Sequence, residues 1–127
     1  MKKDVNSLNW FEIPAKNIKR SKKFYESIFA IKKMEEMEMM GMQMAFFPWK
    51  AGSGKANGAI VQSDMHTPSK EGAVIYLNAN PKMDKVLAKI EKAGGKVVVP
   101  KMQAGDFGYM AFFIDTEGNK VALHSNK

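Results

Sequence analysis

The chain has 127 residues, 45% of them hydrophobic, enough for one domain with a real core. It contains no cysteine, which excludes disulfides, thiolate metal sites and cysteine nucleophiles and suits a reducing, cytoplasmic setting. The formal charge is +7, but the lysines are scattered along the chain and not gathered beside aromatics. They read as a solvated surface and not as a nucleic-acid face, and they favour an anionic ligand over a cationic one.

No apolar run reaches the length of a membrane span, and none follows the lysine-rich start, so neither a membrane anchor nor a signal peptide is expected. Residues 8–15 alternate as a strand that Pro14 ends or places at an edge. Ile18, Ser21, Tyr25 and Ile28 fall at helical spacing behind Asn17, a suitable N-cap. From Met34 to Phe47 the period drops to two, with methionines against Glu36, Glu38 and Gln43. That pattern predicts a hairpin turning near Met40-Gly41. Thioethers are soft enough for Cu(I), but the alternation favours an adaptable apolar face that lines a pocket or a dimer seam.

Trp49 to Asn57 reads as a loop. Its Gly52-Ser53-Gly54-Lys55 lacks the spacing of a phosphate loop and has no helix behind it. Gly58 to Gln62 follows as a strand and residues 63–72 as a linker, with His66 expected in solvent beside Asp64. Residues 73–78 form the next strand. Met83, Val86, Leu87 and Ile90 make a second helical stripe that stops at Gly94-Gly95. Lys96 to Val99 is a strand closed by Pro100. Tyr109 to Ile114 and Val121 to His124 then form a hairpin around Asp115-Thr116-Glu117-Gly118-Asn119, where Gly118 is free to take positive φ.

The plan occurs twice. An offset of about 65 residues brings Ile18 onto Met83 and Tyr25 onto Ile90. The expected fold is α+β: two βαβββ units, residues 8–63 and 73–127, joined by a linker at 64–72. The two units form one cupped eight-stranded mixed sheet with the helices outside. A lone unit of this size would struggle to cover its sheet, and two side by side solve that problem.

Four stretches carry a resemblance over most of the chain: Asn9 to Phe29, Ala56 to Val61, Val74 to Lys101, and Asp115 to Ser125. In their order and spacing, the chain resembles the vicinal oxygen chelate superfamily of glyoxalase I, bleomycin-resistance proteins and extradiol dioxygenases. It is most similar to bacterial glyoxalase-like proteins described as related to lactoylglutathione lyase. The resemblance implies a divalent metal held by His, Glu or Gln from the first and last strands of each unit, with an open position for two substrate oxygens. It places those ligands at Trp10, within Gly58 to Gln62, at Val74 or Ile75, and at Ala122. Indole and alkyl groups do not ligate, and Gln62 is the one doubtful case. No family-type metal site and no cofactor are therefore expected.

Two residues leave room for a displaced site. By alternation Glu12 shares a face with Trp10, and His124 shares one with Ala122. A Glu12–His124 pair would hold a metal or do acid–base work; alternatively, His124 is a strand-end residue at the rim and Glu12 pairs with a lysine. With only two histidines, no Ser-His-Asp arrangement is expected. The expected ligand-binding aromatics are Trp10, Phe46, Tyr76, Tyr109 and Phe112, weighed against ordinary core packing.

Three functions follow as expectations. One is a metal-free binding protein that takes a small apolar, aromatic or anionic ligand. Another is a lactoylglutathione-lyase-like lyase or isomerase working through Glu12 and His124. The third is an interaction module whose methionine hairpin packs on a partner, with a homodimer as the natural assembly.

Overall fold

The computed structural model describes all residues, 1–127. In chain order the elements are β1 (Trp10–Pro14), α1 (Ile18–Ile28), β2 (Glu35–Met39), β3 (Met42–Phe46), β4 (Asn57–Gln62), β5 (Tyr76–Asn78), α2 (Met83–Ile90), β6 (Lys96–Gln103), a short 3-10 turn at Gly105–Phe107, β7 (Tyr109–Ile114) and β8 (Lys120–Ser125). This is the twice-repeated βαβββ order, and Met83 opens α2 as Ile18 opens α1. No helix is long and apolar enough to cross a membrane.

The strands pair as two four-stranded mixed sheets, β1-β4-β3-β2 and β5-β8-β7-β6, and not as one eight-stranded sheet. In each, the first strand of the unit runs parallel to the last and the other neighbours are antiparallel. Backbone ladders stop at the unit boundary, and side chains join the halves. One core cluster takes Ile13, Phe24, Tyr25 and Ile60 from unit one and Leu77, Met83, Ile90, Phe113 and Leu123 from unit two. The helices lie against this shared core and leave the other face of each sheet free of helix.

Alpha helix α1 follows its sequence pattern. The Asn17 side chain accepts from the Arg20 amide at 3.1 Å, as an N-cap should. Ile18, Ser21, Phe24, Tyr25 and Ile28 are the buried stripe. Ser21 is the misfit, because its hydroxyl is buried without a partner. Ser21→Ala removes that uncompensated group and improves helix propensity, so it is expected to stabilise by about 0.5–1 kcal/mol. Chemical denaturation checks this; a loss of stability would mean that the hydroxyl has a partner.

Pro100 does not close β6. The strand runs through it to Gln103, with register shifts between Val97 and Val99 and between Val99 and Met102. Because β6 is an edge strand, a residue without an N–H is tolerated there and the irregularities absorb it. Strand β5 is shorter than its apolar run, since only Tyr76 to Asn78 pairs with β8. Edge strand β2 is exposed throughout, so the methionine alternation marks a surface at Met37 and Met39 and burial at Met34 and Met44.

The β7–β8 turn ties the units together. Gly118 takes φ 94°, as the turn requires. Asp115 is buried and accepts four hydrogen bonds: from the Glu117 and Asn119 amides at 2.9 Å each, from the Asn119 side chain at 2.9 Å, and from the Tyr25 hydroxyl at 2.8 Å. Asn119 also donates to the Pro14 carbonyl at 2.7 Å. Glu117 accepts from the Lys16 and Asn17 amides at 2.9 and 2.7 Å and from Arg20 Nε and Nη2 at 2.6 and 3.0 Å. The start of the first helix is thus capped by the last hairpin.

Gly58 marks the tightest approach inside unit one. It pairs with Phe11, and a Cβ there would lie 2.4 Å from the Phe11 carbonyl and 2.5 Å from its ring. Gly58→Ala must push the β1 backbone or swing the ring, and is expected to cost about 2–3 kcal/mol. Thermal unfolding reads the loss; an unchanged midpoint would mean that β1 yields without strain.

Candidate functional site

An apolar concavity lies on the helix side, between unit one and the segment that leads into β5. Its volume is about 760 Å³, and its walls include Phe11, Phe29, Ile31, Phe47, Ile75 and Leu77. Beta strand β1 and the segment after β3 supply Phe11 and Phe47, whose ring centroids are 5.5 Å apart. The chain leaving α1 supplies Phe29 and Ile31. The same side chains pack against the shared core, so the walls are fixed by the fold. Asn57 and Asn78 add polar groups. Tyr76 is the lining residue that ionises, so the cavity has no carboxylate, imidazole or ammonium.

Of the aromatics expected to bind ligand, Tyr76 lines this cavity and the others do not. Trp10 and Phe46 meet edge-on at 5.9 Å on the helix-free face of sheet one. Beneath them Met44, Ala59 and Val61 form a small separate cluster. Tyr76 and Phe112 meet edge-on at 5.9 Å. Tyr109 lies on the opposite face from Phe112, packed toward the core with Lys101 Nζ 4.7 Å from its ring. Strand alternation separates the two, since positions three apart point to opposite sides.

The positions to which the sequence resemblance assigned metal ligands carry side chains that do not suit a metal. Trp10 Nε1 donates to Glu12 Oε2 at 3.2 Å, and an indole N–H has no lone pair to give. In β4, Gly58 to Val61 is without donor side chains, and the Gln62 carbonyl oxygen already accepts from the Ile18 amide at 2.8 Å. Val74 and Ile75 are alkyl, and Ala122 pairs with Tyr76 in the ladder. No three His, Asp or Glu side chains converge anywhere in the chain.

Glu12 and His124 are not brought together either. His124 Nε2 bonds to the Phe107 carbonyl at the far end of β8. Glu12 Oε1 bonds to His66 Nε2 at 2.7 Å. His66 is therefore no solvated linker residue: its side chain is 14% exposed, and its Nδ1 meets Ser63 Oγ at 2.6 Å. A Ser-x-x-His spacing was the only local trace of this, because Glu12 lies 54 positions away.

A model of the Glyoxalase/Bleomycin resistance protein/Dioxygenase superfamily matches residues 7–123. The chain belongs to that superfamily. Solved structures agree on the fold. Glyoxalase I from Zea mays, as a V278E mutant, superposes with a TM-score of 0.69 at 20% identity over 93% of this chain, which spans 45% of the maize chain. A glyoxylase/bleomycin resistance protein/dioxygenase domain from Frankia gives 0.69 at 13% identity, covering 98% of this chain and all of that one, 100%. The trypanothione-dependent glyoxalase I of Leishmania major gives 0.68 at 16% identity, covering 96% and 88%. No curated protein matches the sequence. For this superfamily member the shared part is the two-unit frame, and the helix-side cavity is built from side chains of this chain.

Proposed function

We propose that this chain is a metal-free, glyoxalase-like small-molecule binding protein that takes a small apolar or aromatic ligand into the helix-side cavity. The observation that carries the reading is the cavity itself: about 760 Å³, with walls almost wholly apolar and anchored in the core. That size and lining suit a compact organic ligand. A carboxylate or sulfonate on the ligand would stay at the mouth, because no cation lines the interior. The chain's charge of +7 would draw such an anion in. A homodimer belongs to the same reading, supported by Met37 and Met39, which stand half exposed on edge strand β2. Sedimentation of the protein with and without Met37→Lys tests that assembly.

The ligand test uses 1-anilinonaphthalene-8-sulfonate, an apolar aromatic anion. The protein is expected to enhance its fluorescence saturably, with the same affinity after chelator treatment. Ile75→Trp places a ring into the cavity and is expected to weaken binding at least about tenfold while the melting temperature holds. Binding that survives Ile75→Trp, or that vanishes with chelator, would overturn the reading.

A further inference from the structure

A second site lies on the other side of unit one, where Glu12, Ser63 and His66 form one hydrogen-bonded chain. Its proton positions follow from donor chemistry alone. The Glu12 carboxylate only accepts, and it takes Trp10 Nε1–H at one oxygen and His66 at the other. His66 must then carry its proton on Nε2, which leaves Nδ1 as a bare acceptor. The Ser63 hydroxyl donates to that nitrogen at 2.6 Å. Ser63 Oγ in turn accepts from the Met65 amide at 3.0 Å. Each member thus orients the next, as nucleophile, base and carboxylate do in a triad, with the imidazole used the other way round.

The chain opens on a polar pocket of about 330 Å³, lined by Lys16, Gln43, Gln62, Ser63 and His66 among others. Gln62 faces it with its carbonyl oxygen already engaged by Ile18. Its amide nitrogen, the Gln43 amide and Lys16 Nζ make no bond within the protein, so three donors among the lining residues are uncommitted, and Asp64 is the one acidic residue in that lining. A triad-like serine with uncommitted donors beside it has what acyl transfer needs.

We propose that Ser63, His66 and Glu12 form an esterase-type site for small polar or anionic esters, independent of the apolar cavity. Ser63 Oγ attacks the ester carbonyl as its proton passes to His66 Nδ1, and the imidazolium is held by Glu12. Lys16 and the two glutamine amides receive the oxyanion. The C–O bond breaks, and the departing alcohol takes the proton from His66. Water, deprotonated at Nδ1, then cleaves the acyl-serine, returning the carboxylic acid and the Ser63 hydroxyl. Glu12 is a positioning residue in this scheme, since its carboxylate hydrogen-bonds only to His66 and Trp10.

The test is labelling with a fluorophosphonate, mapped by mass spectrometry, together with hydrolysis of p-nitrophenyl acetate. Wild type is expected to carry the label on Ser63. Ser63→Ala abolishes it, and His66→Ala slows both labelling and hydrolysis by at least about 100-fold. Glu12→Gln slows labelling and Glu12→Asp recovers part of the rate, which a purely structural carboxylate in a stably folded variant would not produce. Ser63 and His66 are surface-proximal, and melting curves identify any variant that fails to fold. If His66→Ala misfolds, His66→Gln carries the same rate test. No label on Ser63, or label and hydrolysis unaffected by His66→Ala or His66→Gln in folded protein, overturns the proposal.

Discussion

Asp115→Ala is expected to cost about 3–5 kcal/mol, a severe loss for a single side chain. Four donors converge on that one carboxylate, and it is buried. Alanine leaves two backbone amides, one N–H of the Asn119 side chain and the Tyr25 hydroxyl without an acceptor, in a place water does not reach. Tyr25 is fully buried, so it suffers most. Burial, the charge of Asp115 and the hydrogen bond to it push the Tyr25 phenol well above its ordinary value. It stays a donor wherever the fold persists. A raised value means that the folded state holds its proton more tightly than the unfolded chain does. This contribution is therefore complete below about pH 10 and is lost as pH rises beyond that. Tyr25→Phe should remove it, along with one bond to Asp115, and should flatten the alkaline limb of the stability curve. Urea titrations of wild type, Asp115→Ala and Tyr25→Phe from neutral to alkaline pH measure all of this. A Tyr25→Phe curve parallel to wild type would show that the phenol titrates freely.

At acid pH the decisive residue is Glu117. Glu117→Gln is expected to lower stability at neutral pH by about 2–3 kcal/mol, with the difference shrinking as the solution is acidified. Burial alone would raise this carboxyl. The Arg20 fork, the Asn17 amide, the Thr116 hydroxyl and the Arg20 charge together outweigh it and hold the group below its ordinary value. A depressed carboxyl adds stability that is present above its unfolded value, near pH 4.5, and is lost as pH falls through the lower folded value. Wild type should show an acid limb there, and Glu117→Gln should show a shallower one. Arg20 is half exposed and can return to water, so Arg20→Ala should cost less than Glu117→Gln. Equal losses would place the energy in the ion pair and not in the helix-start amides.

What the sequence revealed was local or periodic. The α1 stripe, the hairpin at Met40-Gly41, the stop at Gly94-Gly95 and the Asp115–Asn119 turn all announce themselves within a few residues. The repeat placed α2 in register with α1. Pro100 misled because a proline reads as a strand end, and only the sheet order shows that β6 is an edge. Tyr109 was grouped with Phe112 by composition, though alternation parts them. The site-level ties were invisible for another reason. Glu12 meets His66 across 54 positions and Arg20 meets Glu117 across 97, and no pattern along a single chain encodes such pairings. His66 looked like a linker residue because its neighbours have no period. The cavity beside Phe11 needed the fold to appear.

The clasp at Glu117 and Asn119 also bears on how the protein is made. The acceptor that finishes the start of α1 is synthesised 100 residues after Asn17. A nascent chain stalled before Asp115 would hold the Lys16 and Asn17 amides and the Tyr25 hydroxyl without their partners, whatever strands of unit one had already paired. The first half of this polypeptide therefore waits for the second, and the tandem repeat matures as one object despite its two-part design.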